Sequence, residues 1–170
     1  MEVSDVKEYG VICVIHKRQD LVGFVPHYHT SSSTRRVGDQ CEAVVLDVNE
    51  SEGIVDLSLR KELLAAMKKQ PAHKVGKKQQ RKDLVPLATQ STAVIQLVKE
   101  NYMVLSLPAF GHRFALAATR SFNYVPEDVH GRYQGGQQVQ VQVTAQPCEL
   151  WPQSYLVCLD EKRSTNNDNS

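Results

Sequence analysis

The chain has 170 residues, of which 41% are hydrophobic and 23% charged, and its formal net charge is +1. This composition is typical of a globular protein and excludes an intrinsically disordered chain. Apolar runs are short and interrupted, and residues 1–20 carry acids ahead of a short apolar patch. Neither a transmembrane helix nor a secretory signal is therefore predicted, and we expect an intracellular protein.

The first segment, residues 1–59, has the pattern of a small β-domain. It contains five Lys/Arg and ten Asp/Glu, a net charge of −5. Runs rich in β-branched and aromatic residues predict strands in YGVICVI, VGFVPHYH and VGDQCEAVVLDV. After the turn-like NESEG, Val55, Leu57 and Leu59 alternate with polar residues, which predicts a strand with one face in a core.

A strongly basic segment follows, residues 60–82, with nine Lys/Arg and one Glu for a net charge of +8. RKELLAAMKK is predicted to be helical, because Leu63 and Met67 share a face at i, i+4 and Pro71 ends the stretch. QPAHKVGKKQQRK has no apolar period and is predicted to be a flexible connector.

The third segment, residues 83–170, has a net charge of −2 and again a β pattern, in AVIQLVKENYMVLSL, RFALAATRSFNYV, GGQQVQVQV and SYLVCL. Its elements repeat those of the first segment. VKEYGVICVI aligns with VKENYMVLSL, GDQCEAVVL with GQQVQVQVT, and VDLSLRKE with YLVCLDEK. Matching positions lie about 92 residues apart early and about 100 late, so we infer an internal duplication with longer loops in the second copy.

Small five-stranded units with polar turns and no crossover helices predict an all-β protein of two tandem five-stranded OB-fold barrels, joined by a short helix and a basic linker. One β-sandwich with an inserted helix is the alternative. The predicted parts are a first barrel (1–60), helix and linker (61–85), a divergent second barrel (86–162) and a polar tail (163–170). Val3 aligns with Ile95, so the first opening strand is cut short, and we expect Met1 to be a start inside a longer chain.

The four cysteines, Cys13, Cys41, Cys148 and Cys158, form no CxxC pair and lie in or beside strand-like runs. A disulfide framework is typical of small secreted chains with closely spaced cysteines. We therefore predict buried, reduced thiols.

The motifs of the first copy resemble the S1-type RNA-binding OB fold. EYGVICV, GFVP, VGDQCEAVVLDV and GIVDLSLRKEL are similar to that family's opening aromatic-glycine strand, Gly-Leu-Val-His segment, Val-Gly-Asp turn and Ile-x-Leu-Ser closing strand. The match is good over residues 3–62 and weak over 86–162. Tandem divergent copies with a basic helical connector are also similar to the nucleolar ribosome-biogenesis factors built from many S1-type repeats. This resemblance implies a nuclear, nucleolar protein that acts in pre-ribosomal RNA processing and small-subunit assembly.

The resemblance also implies which residues bind RNA. The family's surface offers two aromatic residues, a histidine, an acid or amide, and an arginine. In the first copy, Tyr9 keeps the first aromatic position, His27 follows the histidine position, and Asn49 keeps the polar position. Ile12 and Ile54 replace the second aromatic residue and the arginine.

The second copy has lost more of this surface. Asn101 and Val104 replace the two aromatic residues, and Ala117 or Ala118 falls near the histidine position. Five aromatic residues elsewhere in the second copy are predicted to belong to the core or to a protein-contact surface. They are Phe110, Phe114, Phe122, Tyr124 and Trp151.

The basic segment is the strongest candidate for nucleic-acid contact. Nonspecific affinity comes largely from cations that displace counterions from phosphate, and both flanking segments are net acidic. The candidate phosphate-binding residues are Lys68, Lys69, Lys74, Lys77, Lys78, Arg81 and Lys82. A solubilising linker and a nuclear-import signal are the alternatives for these charges.

Other chemistry is poorly represented. His27, His29 and Cys41 are too few for a structural zinc site, and no nucleophile elbow, P-loop or dinucleotide-binding turn is present. We predict no enzymatic activity, cofactor, metal, membrane contact or small-molecule substrate. The expected partners are RNA, bound weakly and mainly through its backbone, and other ribosome-assembly proteins. The alternative is a degenerate OB-fold module that binds proteins within a larger ribonucleoprotein assembly.

Overall fold

A computed structural model describes residues 1–31, 34–69, 84–119, 129–148 and 154–160. The chain divides into two compact units, Met1–Ala72 and His73–Ser170. Each unit holds one five-stranded sheet. The strands are β1 (Glu2–Lys7), β2 (Gly10–Val14), β3 (Val22–Pro26), β4 (Val44–Asn49), β5 (Ile54–Ser58), β6 (Gln90–Val98), β7 (Tyr102–Leu107), β8 (Arg113–Ala118), β9 (Gln138–Ala145) and β10 (Ser154–Leu159).

The helices within the described ranges are short. They are α1 (Lys61–Lys69), α2 (Val129–Arg132) and two 3₁₀ turns, His27–His29 and Pro108–Phe110. The strand orders are β1-β2-β3-β5-β4 and β10-β8-β7-β6-β9, and the second sheet closes into a barrel. The predicted fold class, all-β with two five-stranded OB-fold units, is confirmed.

The two sheets repeat one register, as an internal duplication predicts. In each unit, the register between the first and second strands shifts directly after the same matched pair of residues. In each unit, the third and fifth strands also run parallel. The matched pairs are Val3–Cys13 with Ile95–Leu105, and Gly23–Val55 with Ala115–Tyr155.

The units differ in how the opening strand meets the fourth strand. In the second unit, β6 has nine residues, and its first half pairs with β9 while its second half pairs with β7. In the first unit, β1 has six residues and pairs with β2. The segment before β4 reaches β1 through hydrogen bonds from Val3 N to Asp39 O (2.9 Å), Gly38 N to Val3 O (2.8 Å) and Cys41 N to Met1 O (3.0 Å).

Each unit has its own apolar core, built from the inward positions of its strands. The first comprises Val3, Val11, Cys13, Leu21, Val25, Val55, Leu57 and Leu59. The second comprises Val85, Ala93, Ile95, Met103, Leu105, Leu107, Ala115, Ala117, Val139, Val141, Val143, Tyr155 and Val157. Full burial of one large aliphatic side chain contributes about 1.5–3 kcal/mol, so each core can stabilise its own sheet.

The four cysteines are free, but only Cys13 is fully buried. Burial, together with the neighbouring Cys41, raises the pKa of the Cys13 thiol to about 11. The thiolate is the reactive form, so Cys13 is chemically inert near neutral pH. Cys148 and Cys158 are exposed, and the prediction of buried thiols is wrong for them. Cys158 follows the buried Val157 and therefore takes an outward position on β10.

The predicted helix RKELLAAMKK is α1, which contacts β4. Leu63 is fully buried, whereas Met67 on the same predicted face is exposed, so the apolar stripe of α1 is shorter than its spacing indicates. Near the end of the helix, Lys68 Nζ lies 2.6 Å from a Glu42 carboxylate oxygen.

The Tyr155 hydroxyl completes a polar contact at the edge of the second core. It accepts hydrogen bonds from the Val85 N–H at 3.2 Å and from Arg113 Nη1 at 2.8 Å. Tyr155 and Val85 are both buried, so no water replaces this acceptor readily.

Replacing Tyr155 with Phe should lower the free energy of unfolding of the second unit by about 1–3 kcal/mol, because the buried Val85 N–H loses its acceptor. Hydrogen exchange of second-unit amides measures this change. The control is Tyr9→Phe, at an exposed ring of the first unit, which should stay within about 0.5 kcal/mol. An equally small effect for Tyr155→Phe would contradict the structural role of the hydroxyl.

Candidate nucleic-acid interface

Tyr9 lies in the turn that joins β1 to β2, and its side chain is 60% exposed. The next residue, Gly10, pairs with Pro26 at the end of β3. A Cβ at Gly10 would collide with the Val25 carbonyl oxygen and lie 2.8 Å from Phe24 Cε2. Glycine is therefore required where β3 passes closest to this turn.

Phe24 is a second aromatic residue beside Tyr9. The two ring centroids are 6.0 Å apart and the ring planes are tilted by 44°. Phe24 lies opposite Ile12 on β2, so it stands next to the position where the S1-type resemblance implies an aromatic residue. The S1-type resemblance does not indicate Phe24 as a binding residue. The alternation within VGFVP identifies it, since Gly23 and Val25 point inward.

His27 lies close to Tyr9 through the backbone. Its N–H donates to the Tyr9 carbonyl at 3.0 Å, and its side chain is exposed. An open depression of about 300 Å³ beside this turn is lined by residues that include Lys7, Glu8, His27 and Arg35. Lys7 also forms an ion pair with Asp5 at 2.8 Å, and both side chains are exposed. An exposed aromatic ring two residues from an exposed cation is suited to base stacking next to phosphate contact.

Asn49 lies elsewhere. By register it stands at the end of the sheet where β3 begins, whereas Tyr9 is next to the end of β3. Four residue steps along a strand, at about 3.3 Å each, separate these ends by about 13 Å. The Asn49 side-chain oxygen accepts hydrogen bonds from the Ser51 hydroxyl (2.7 Å) and the Glu52 N–H (3.2 Å). Its observed contacts therefore hold the β4–β5 turn.

Two of the predicted phosphate-binding residues, Lys68 and Lys69, are in the last turn of α1 and are exposed. The Lys68–Glu42 ion pair is exposed on both sides, and such pairs stabilise a protein by no more than about 1 kcal/mol. A phosphate can therefore compete for Lys68. The other predicted residues lie outside the described ranges. They are Lys74, Lys77, Lys78, Arg81 and Lys82.

The register also defines the corresponding surface of the second unit. Ala118, and not Ala117, falls at the histidine position, because it pairs with Tyr102 as Pro26 pairs with Gly10. At the position that matches Phe24, the second unit has an aliphatic residue, Leu116, which precedes the core residue Ala117. No aromatic pair comparable to Tyr9–Phe24 occurs among the matched positions that the structure describes in this unit.

The other second-unit positions agree with this loss. Val104, at the second aromatic position, is only 1% exposed. Phe110 packs against the second core, and Phe114 is half-buried. The remaining aromatic residues considered from the sequence lie outside the described residues. They are Phe122, Tyr124 and Trp151.

The residues considered for metal binding have other surroundings. His29 is buried, and its Nδ1 lies 2.9 Å from the Ser58 hydroxyl. Cys41 packs against the first core. In the part of the chain that the structure describes, no three His, Cys, Asp or Glu side chains are grouped for a metal ion, and no helix is long and apolar enough to cross a membrane.

Two five-stranded sheets with this order place the chain among OB-fold proteins. The sequence profile of the RRP5 OB-fold domain matches residues 71–162, which include most of the second unit and about half of the basic segment. The chain is 31% identical over 167 residues to the rRNA biogenesis protein RRP5 of Arabidopsis thaliana. It belongs to the RRP5 OB-fold family.

The alignment with the Arabidopsis protein covers 96% of this chain but 9% of that relative. A crystal structure of a Streptococcus pneumoniae multidomain protein with nucleic acid binding domains aligns over 93% of this chain and 49% of its own, with 15% identity. Its TM-score is 0.38.

The Gly10→Ala substitution should destabilise the first unit by about 2 kcal/mol or more, because the new methyl group meets the Val25 backbone and the Phe24 ring. Denaturant unfolding followed by first-unit amide signals measures the loss. Gly38→Ala is the matched control. Gly38 has a φ of +90° but no atom within 4 Å of a Cβ, so only backbone strain of about 1 kcal/mol is expected. Equal losses for both would contradict the close approach at Gly10.

Proposed function

We propose that this chain is a non-catalytic RNA-binding and scaffold segment that acts in pre-ribosomal RNA processing and small-subunit ribosome assembly in the nucleolus. The observation that carries the proposal is an exposed Tyr9 ring in contact with the half-buried Phe24, in a chain of the RRP5 OB-fold family. The aligned Arabidopsis relative is an rRNA biogenesis protein.

In this proposal the first unit contributes stacking. Unpaired bases stack on aromatic faces with little sequence preference, at about 1–3 kcal/mol per base. Tyr9 offers an exposed ring, and Phe24 supports it from β3. Lys7 and His27 lie near Tyr9 along the chain or through a backbone hydrogen bond, and both are exposed and suited to contact the sugar-phosphate backbone, although Lys7 must exchange its ion pair with Asp5 for a phosphate. Residues 1–59 carry a net charge of −5, so the first unit is expected to have a weak affinity for RNA without further cations.

The basic segment is proposed to supply most of the affinity. Residues 60–82 carry a net charge of +8, and each phosphate they neutralise releases counterions. Such contacts depend on charge and little on sequence, so they suit a protein that holds RNA during assembly rather than reading a motif.

A second candidate function applies to the second unit. Its two stacking positions hold Asn101 and Val104, neither of which is aromatic, and Val104 is buried. We propose that this unit serves the assembly as a protein-binding module, which agrees with the alternative drawn from its sequence.

The first test replaces Lys77, Lys78, Arg81 and Lys82 with Ala in the full chain. Fluorescence anisotropy with an unstructured RNA of about 15 nucleotides measures affinity across a salt series. If all four cations contact phosphate, the slope of log K against log salt should become shallower by about 2.8, at about 0.7 per contact on single strands. A variant with Arg at the three lysine positions should keep the slope. An unchanged slope in the alanine variant would remove the basic segment from RNA binding.

The second test replaces Tyr9 with Ala, which should weaken binding of the same RNA about fivefold to tenfold through lost stacking. The salt slope should not change, because no charge is removed. Tyr9→Phe keeps an aromatic face and should bind like the unmodified chain. If the unmodified chain shows no binding even at low salt, only the protein-binding function survives.

A further inference from the structure

The guanidinium of Arg35 is half-buried in the first unit and has few partners there. Its Nη2 donates to the Ser31 hydroxyl at 3.4 Å, and its Nε is buried without a hydrogen-bond partner among the residues that the structure describes. The ion pairs described in this unit join other side chains, and none includes Arg35. A desolvated cation without an anion is costly. Arg35 is therefore suited to bind an anion from outside the chain.

The backbone next to Arg35 is fixed by hydrogen bonds. The Arg36 N–H donates to an Asp39 carboxylate oxygen at 2.9 Å, and the Asp39 N–H donates back to the Arg36 carbonyl at 3.1 Å. This turn is joined to β1, since Val3 N–H donates to Asp39 O and Gly38 N–H donates to Val3 O. An anchored backbone lowers the entropy lost when the side chain binds a ligand.

Arg35 lines the depression of about 300 Å³ beside the β1–β2 turn, together with three hydroxyl residues, Thr30, Ser31 and Thr34. The Thr30 hydroxyl donates to the His27 carbonyl at 2.6 Å, whereas Thr34 is exposed. Guanidinium and hydroxyl donors are the groups that proteins use to bind phosphate oxygens. The lining therefore has the chemistry of a phosphate site.

The charges of the lining make Arg35 its main attraction for an anion. Lys7 also lines the depression, but it is paired with Asp5 at 2.8 Å. Glu8 lines it too and opposes an anion. Arg35 is thus the one lysine or arginine of this lining without an ion pair to a described residue.

The position of the depression favours an RNA phosphate over a phosphorylated protein. The Tyr9 side chain does not line the depression, but its chain neighbours Glu8 and Gly10 do. His27, whose N–H donates to the Tyr9 carbonyl at 3.0 Å, lines it as well. A nucleotide that stacks on the exposed Tyr9 ring therefore brings its own phosphates close to Arg35. A phosphorylated side chain would bring the anion but make no use of Tyr9.

We propose that Arg35 binds a backbone phosphate of RNA in this depression, next to the nucleotide that stacks on Tyr9. The inference rests on the proposed RNA binding by the first unit and adds a specific contact to it. The planar guanidinium donates from two nitrogens to two phosphate oxygens, and the Thr34 hydroxyl supplies a further donor. The bound phosphate gives the half-buried cation the anion that the described chain does not provide.

The first test replaces Arg35 with Gln in the full chain and measures binding of an unstructured RNA of about 15 nucleotides by fluorescence anisotropy. Affinity should fall about fivefold, and the slope of log K against log salt should become shallower by about 0.7. Arg36→Gln removes the same charge from an exposed residue outside the lining and should change affinity by no more than about twofold. Glu8→Gln removes the opposing carboxylate and should strengthen binding about twofold, a direction that misfolding does not produce.

The second test follows the Nε–H NMR signal of Arg35 in the unmodified chain. The same RNA should shift this signal, whereas inorganic phosphate should do so only at much higher concentration. A tripeptide of phosphoserine between two alanines should leave it in place at the RNA concentration. If Arg35→Gln disturbs the first unit, Arg35→Lys serves instead. It keeps the charge but not the planar fork, so affinity should fall about threefold with the salt slope unchanged.

The proposal is overturned if Arg35→Gln and Arg36→Gln weaken RNA binding equally, or if RNA leaves the Arg35 signal unmoved. If Tyr9→Ala still weakens binding in that case, the first unit binds RNA without this site. A shift caused equally by inorganic phosphate would assign the depression to free phosphate, and a shift caused by the phosphoserine peptide alone would assign it to a protein. A chain that binds no RNA at low salt would overturn this inference and the proposed function together.

Discussion

The pairing of the opening strand with both of its neighbours is the constraint on which each unit depends. Backbone donors and acceptors need partners, and a five-stranded sheet gains them on every side only when its first strand also reaches its fourth. β6 does so by serving β7 with one half and β9 with the other. β1 reaches the segment before β4 through backbone hydrogen bonds at Met1 and Val3. In the second unit, Val143 is hydrogen-bonded to Ala88 and Thr89 and is 1% exposed.

The same constraint separates the surfaces available for function. The second sheet closes into a barrel, and the positions matching Tyr9 and Phe24 hold Asn101 and Leu116. The first unit has an exposed Tyr9 in contact with Phe24 beside the end of β3. The two units therefore present different side chains at matching positions of one fold.

Sequence alone predicted most strands and their repeated order in the two units, because strand alternation has a fixed period that apolar residues reveal. Cross-strand neighbours were harder to predict. The family motif places an aromatic residue at the position of Ile12, so Phe24 was not predicted. The pairing of β2 with β3 is what brings Phe24 beside Tyr9. Asn49 matched a motif position, yet a local hydrogen bond to Ser51 engages its side chain in a turn.

The charge pattern explains how a nearly neutral chain can still bind a polyanion. At physiological ionic strength charges are screened beyond about 8 Å, so the −5 and −2 of the flanking segments do not cancel the +8 between them at a distance. Cancellation requires contact, as where Lys68 meets Glu42. Because that pair is exposed and weakly held, it yields readily to phosphate. Net charge of the whole chain is therefore a poor guide to its affinity for RNA, and the local density of unpaired cations is the quantity that matters.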